Sequence, residues 1–196
     1  FKQKTAYEIP KRDWSSDVCS SDLTMRAEMQ TSFAWPQEGV ARVPYRIYSD
    51  PDIYRREQAR VFGGKCWAYV ALEAEIPHAG DFKRSFIGDK PVVVVRDADG
   101  AIHVFENRCA HRGVQFCQRH LGNAREFMCP YHQWTYDLKG KLIRVPFRRG
   151  VKEQGGMPAD FDPARHGLTR LQVARRHGVV FASFSAEVEQ IGRAHV

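Results

Sequence analysis

Four side chains in two short stretches carry the chemistry open to this sequence. Cys109 and His111 form a C-x-H pair, and after seventeen intervening residues Cys129 and His132 form a C-x-x-H pair. Each stretch supplies one thiolate and one imidazole. A [2Fe–2S] centre of mixed ligation needs that set, with two Cys on one iron and two His on the other. Thiolates favour the iron that stays ferric. Neutral imidazoles remove negative charge from the other iron, and the potential rises to between about −150 and +300 mV. A structural zinc site competes, because Cys2His2 also suits tetrahedral Zn. Zinc fingers, however, usually run C-x(2–4)-C and then H-x(3–5)-H, whereas here each stretch mixes the two ligand types. An all-structural reading leaves the matched spacing unexplained.

The surrounding pattern supplies the elements that hold these stretches. Ser49 or Asp50 can cap a helix with Pro51 in its first turn. Ile53, Tyr54, Val61 and Phe62 fall roughly on one face of it, and Gly63-Gly64 stops it. From Cys66 the pattern changes to strand, with runs at 67–72, 82–87, 91–96 and 101–106. The last two form a hairpin across Asp97-Ala98-Asp99-Gly100 that feeds directly into Cys109. Runs at 125–128 and 133–137 flank the second ligand stretch, 141–145 follows, and after a polar, Gly-rich segment 168–174 and 178–184 read as two more strands. The expected class is all-β, small antiparallel sheets preceded by one α-helix. Cys66 and Cys117 read as buried thiols. His78, His103, His120, His166 and His177 have no partner at ligand spacing and read as surface or satisfied histidines.

At these residues the chain resembles the large (α) subunits of the Rieske non-haem iron aromatic-ring-hydroxylating dioxygenases. The likeness rests on ALEAEIP (71–77), GDFKRSFIG (80–88), ENRCAHRG (106–113), CPYHQWTYDLKG (129–140) and VPFRRGV (145–151). The likeness extends to the large subunits that act on aromatic carboxylates, of the salicylate 5-hydroxylase, anthranilate dioxygenase and terephthalate dioxygenase type. The resemblance implies that Cys109, His111, Cys129 and His132 hold a Rieske cluster, with Arg112, Tyr131 and Trp134 around it. It implies electron delivery from NAD(P)H through a reductase, sometimes with a ferredoxin, and passage to a mononuclear Fe(II) that hydroxylates an aromatic, carboxylated substrate with O2. Members of the family form homotrimers or α3β3 assemblies. The ligands of that Fe(II) lie downstream, so no catalytic residue is named here. Gln133 stands where many members have Gly, which alters loop packing without removing a ligand. Respiratory-type Rieske proteins place two bridging cysteines at positions equivalent to Val114 and Tyr131, so that bridge is absent here. A stand-alone Rieske ferredoxin is the alternative, although it would not need the capped helix or the strands leading onward.

The expected organisation is a helical segment at 24–64 that packs on the catalytic domain, a Rieske domain at 65–165 and strands leading onward at 166–190. Residues 1–23 and 191–196 read as translated sequencing adapter: one back-translation of IGRAHV (191–196) is the reverse complement of a sequence encoding DVCSSD, found at 17–22. Setting them aside lowers the net charge of +7 by one. Without its natural partner in the family, the helix is expected to leave its apolar face under-buried. The positive balance suggests nucleic acid, but no basic stripe is interleaved with aromatics. Arg148-Arg149 and Arg175-Arg176 read as solvated faces or as docking points for an acidic donor. No run is long enough to span a membrane, and the cysteine usage fits a cytoplasmic protein.

Overall fold

A computed structural model describes residues 43–192. The expectations for residues 1–42 and 193–196 lie outside the described residues. A short turn of helix, α1 (Arg46–Ser49), precedes α2 (Pro51–Glu57), which continues into a π-helical turn, Gln58–Phe62. Asp50 is the cap: its carboxylate accepts from the N–H groups of Asp52 at 2.8 Å and Ile53 at 3.3 Å, satisfying donors that a helix start leaves unpaired. No residue of this helical stretch is buried. Tyr54, Val61 and Phe62 are exposed, as expected of its apolar face.

Ten strands follow. They are β1 (Ala68–Leu72), β2 (Asp81–Ile87), β3 (Lys90–Arg96), β4 (Ile102–Glu106), β5 (Leu121–Asn123), β6 (Phe127–Met128), β7 (Thr135–Tyr136), β8 (Leu142–Arg144), β9 (Gln172–Arg176) and β10 (Val179–Ser183). Every pairing is antiparallel, in three sheets ordered β1-β10-β9, β4-β3-β2-β5 and β6-β7-β8. The all-β architecture with helix ahead is therefore the one the sequence pattern predicts. β3 lies between β2 and β4 and is buried on both faces, which is why it reads as unbroken valine and not as alternation. Val93 and Val95 enter one core with Phe105, Phe116, Phe127, Trp134 and Tyr136, and Val92 and Val94 enter a second with Val70, Ile76, Val104 and Val180. Each fully buried valine contributes about 1.5–3 kcal/mol.

Three details depart from the sequence reading. β5 was not expected; it is three residues long and centred on Gly122. Leu168 and Leu171 are buried, but the strand begins only at Gln172, after an isolated bridge between Phe105 and Arg170. Cys66 is exposed and not core, because it falls in the connection between the end of the helix and β1, beside Phe62 and Trp67.

The hairpin that leads to the first ligand stretch is held by a buried charge. Asp97 accepts from the N–H groups of Asp99 and Ala101, both at 2.9 Å, and from His103 Nε2 at 2.8 Å. Arg170 donates to His103 Nδ1 at 3.0 Å, so Nε2 carries the proton. Burial alone would raise the Asp97 pKa, but the His103 ring and the two N–H groups outweigh it and hold the carboxyl below its ordinary range. Asp97→Ala strands two backbone donors and one imidazole. The expected cost is roughly 2–4 kcal/mol, read as a fall of roughly 5–15 °C in thermal midpoint; an unchanged midpoint would contradict this account of the turn.

Candidate metal centre

The two ligand stretches are the same turn used twice. In the first, Cys109 N–H donates to the Val114 carbonyl at 2.8 Å and Gly113 N–H to the Cys109 carbonyl at 2.9 Å; in the second, Cys129 N–H donates to Trp134 O at 2.8 Å and Gln133 N–H to Cys129 O at 3.0 Å. The fifth residue of each turn is left-handed, Gly113 with φ 73° and Gln133 with φ 58°. Glycine takes that conformation at no steric cost, whereas a side-chain residue pays roughly 1–2 kcal/mol. The Gln133 departure therefore leaves the turn geometry intact.

Each turn is tied to the strands. Asn107, fully buried, follows β4 directly, and its side chain grips the segment after the first turn: Nδ2 donates to Cys117 O at 2.8 Å and Oδ1 accepts from Cys117 N–H at 2.9 Å. The second turn closes the hairpin between β6 and β7, whose buried residues are Phe127, Thr135 and Tyr136.

Together these place the four predicted side chains in two pairs. The Cys109 and Cys129 thiols, both buried, lie beside each other. The His111 and His132 rings stand edge to face at 4.6 Å. Among the described residues, no three His, Cys, Asp or Glu side chains converge on one point as a single ion would require. Thiol beside thiol and imidazole beside imidazole match two irons with two side-chain ligands each.

The chemistry of the donors fits that cluster. His111 Nδ1 is buried with no hydrogen-bond partner among the described residues, a costly state for a ring nitrogen unless it holds something. Burial first, then the neighbouring His132 and Arg112, push the His111 pKa down, so the ring is held neutral, the form that binds metal. Burial and the adjacent Cys109 push the Cys129 thiol up, against the N–H groups of Tyr131 and His132 that point at its sulfur; a bound metal deprotonates such a thiol outright. Tyr136, fully buried, points its hydroxyl at Cys109 Sγ at 3.1 Å and accepts from Ala110 N–H at 3.1 Å.

Of the three other predicted residues, Trp134 is buried and stacks flat on His111, with centroids 4.7 Å apart and planes 9° from parallel. Tyr131 packs its ring 3.8 Å from His132 but is exposed. Arg112 is exposed, and its charge reaches His111. Cys117 is a buried thiol, as predicted, and burial pushes its pKa up. Among the described residues no cysteine is paired and no helix is long and apolar enough to cross a membrane. Sequence reasoning missed Tyr136 and Asn107. The signals available were an aromatic one strand step beyond Trp134 and an amide two residues before Cys109.

Comparison with known proteins agrees with this geometry. The model of the Rieske [2Fe-2S] domain matches residues 66–154. The chain is 58% identical over 159 residues to the large oxygenase component of salicylate 5-hydroxylase from Ralstonia sp, covering 79% of this chain and 38% of that one. It is 55% identical over 154 residues to the anthranilate 1,2-dioxygenase large subunit of Burkholderia cepacia (79% and 36%). It is 48% identical over 157 residues to the terephthalate 1,2-dioxygenase terminal oxygenase subunit alpha 2 of Comamonas sp (80% and 38%). Among solved structures, naphthalene 1,2-dioxygenase from Rhodococcus sp. superposes with a TM-score of 0.67 at 33% identity, over 76% of this chain and 33% of that one. The chain thus spans little more than a third of the length of the curated relatives it matches. Paired thiols, paired imidazoles, shared fold and sequence likeness together show that the chain belongs to the Rieske non-haem iron oxygenases, as a piece that carries their Rieske [2Fe–2S] domain.

Proposed function

We propose that this chain takes single electrons from a reductase or ferredoxin, ultimately from NAD(P)H, and passes them to a mononuclear Fe(II) that hydroxylates a carboxylated aromatic substrate with O2. The observation that carries the reading is the pairing of thiol with thiol and imidazole with imidazole on two matched turns. When bound, the mixed-ligand [2Fe–2S] cluster supplies a one-electron couple. Cys109 and Cys129 would hold one iron as thiolates, and His111 and His132 would hold the other as neutral rings. Tyr136 donates to the Cys109 sulfur, the Tyr131 and His132 N–H groups face the Cys129 sulfur, and Trp134 keeps water from His111. Arg112 and Tyr131 complete the surround.

The likeness to salicylate and anthranilate enzymes supports a carboxylated substrate. In this reading the oxygen-activating iron is held by two His and a carboxylate outside the chain. Residues 65–165 form the electron-transfer domain, the segment 24–64 packs on the catalytic part, the strands at 166–190 lead towards it, a homotrimer or α3β3 assembly brings cluster and iron together, and the protein works in the cytoplasm. A redox titration of the cluster-loaded chain, followed by its visible absorbance, tests the electron-transfer role. One electron per chain with a midpoint between about −150 and +300 mV supports it; a midpoint near −400 mV, as in all-thiolate ferredoxins, refutes the ligand assignment on which it stands.

A further inference from the structure

The positive charge of the chain is gathered at the end that carries the ligand stretches. Of 30 Lys or Arg and 23 Asp or Glu, residues 107–156 hold ten and three, which leaves twenty of each elsewhere, so the whole net charge of +7 lies in this stretch. Within it, residues 107–125 contain the first ligand turn, four arginines and no carboxylate.

Four guanidinium groups border that turn and the segment after it. Arg112 is exposed on the turn, and its charge reaches the His111 ring. Arg108, also exposed, lies over Gly113 so closely that a Cβ there would meet its Nε at 2.9 Å. Asn107 binds both the N–H and the carbonyl of Cys117, which keeps the segment that follows close to the turn. That segment carries Arg119, exposed, with its guanidinium 5.6 Å from the centre of the Phe82 ring. Arg84 on β2 donates from its backbone N–H to the His120 carbonyl at 2.8 Å and from Nη1 to the Gln118 carbonyl at 3.0 Å. The buried Cys117 thiol feels the charges of both Arg84 and Arg119. Among the described residues none of these four arginines forms an ion pair, whereas Glu73 neutralises Arg96 and Arg175 and Glu126 neutralises Arg144.

We propose that Arg84, Arg108, Arg112 and Arg119 form the docking surface for an acidic one-electron donor protein, which delivers its electron over the first ligand turn. This inference rests on the electron-transfer function proposed above. Like charges held close together repel in the free chain, and an anionic partner relieves that repulsion. Such a surface steers the partner to one place and fixes its orientation while adding little lasting affinity, which suits a donor that must leave after each electron. A strand of nucleic acid would need aromatic platforms among the cations; the only Phe, Tyr or Trp between Arg108 and Arg125 is Phe116, which is buried. The step is an outer-sphere transfer: the donor loses one electron, the cluster gains one, and no bond forms or breaks.

The test uses the cluster-loaded chain and an acidic plant-type [2Fe–2S] ferredoxin, with stopped-flow absorbance following reduction and calorimetry following binding of the oxidised ferredoxin. Arg119→Glu is expected to slow reduction roughly three- to tenfold at low salt, a part of the 10–10³ that full electrostatic steering contributes, and to weaken binding in parallel. At about 1 M salt, where the screening length is about 3 Å, the difference closes. Arg119→Gln gives the same pattern at smaller size and decides if the Glu variant does not fold. Reduction by photoreduced deazariboflavin, which is uncharged and needs no docking, stays unchanged, as does the midpoint potential. Arg176→Glu, at the end of β9 and across the second core, leaves ferredoxin reduction and binding as in the parent. Ferredoxin reduction that ignores salt or the Arg119 variants, or that Arg149→Glu or Arg176→Glu slows as much, overturns the site. So does binding of duplex DNA that the Arg119 variants weaken while ferredoxin reduction is unaffected. A chain that gives no mixed-ligand cluster signal on reduction overturns the electron-transfer function instead, so the two failures are distinguishable.

Discussion

A His132→Cys variant is expected either to lose its cluster or to titrate far below the unaltered chain, toward the roughly −400 mV of all-thiolate clusters. The imidazole is neutral and the thiolate that replaces it carries a full negative charge. That charge disfavours adding an electron to the iron it binds. The site gives the substitution room to act on the iron, since His132 sits at the tip of the second turn with its ring against His111 and Tyr131. A redox titration of the variant beside the parent reads the effect. An unchanged midpoint would remove His132 from the ligand set, and the imidazole pair with it.

The second large effect comes from a single hydroxyl. Tyr136 is fully buried, and its OH stands 3.1 Å from the Cys109 sulfur. Burial, and then the neighbouring Cys109, push its pKa well above the ordinary phenol value, so it remains a hydrogen-bond donor at every working pH. A donor to a ligating sulfur stabilises the electron-rich, reduced state more than the oxidised one. Tyr136→Phe keeps the ring and its packing with Phe116 but removes the donor. If the differential stabilisation is about 1 kcal/mol, the midpoint falls by roughly 40 mV for a one-electron couple. The variant also strands the Ala110 N–H that the hydroxyl accepts, so a loss of roughly 1–3 kcal/mol in stability accompanies the shift. A midpoint that stays the same or rises would show that the hydroxyl does not donate to the sulfur.

The pairing of Cys109 with Cys129 and of His111 with His132 was legible in the sequence because the chemistry proposed for them dictates both residue type and spacing. Asp50 with Pro51, and Asp97 to Gly100, were legible for a similar reason, since caps and turns are local. The β3 valines announced a buried strand. What stayed hidden depends on tertiary pairing. Tyr136 reaches Cys109 because β7 pairs with β6 and carries it under the first turn, and no local pattern encodes that contact across 27 positions. Asn107 grips Cys117 ten residues away for the same reason. β5 is too short for alternation to register, and its pairing with β2 supplies what its own residues do not. Cys66 was misjudged because its residue type favours burial, while its place between helix and strand leaves it in the open.

The most direct test of the central claim is an EPR spectrum of the iron-loaded chain after reduction with dithionite. Two thiolates on one iron and two imidazoles on the other give a rhombic signal with a low average g, and that is the predicted result. A higher-g signal typical of four thiolates, or a colourless, silent protein that holds zinc, would contradict it.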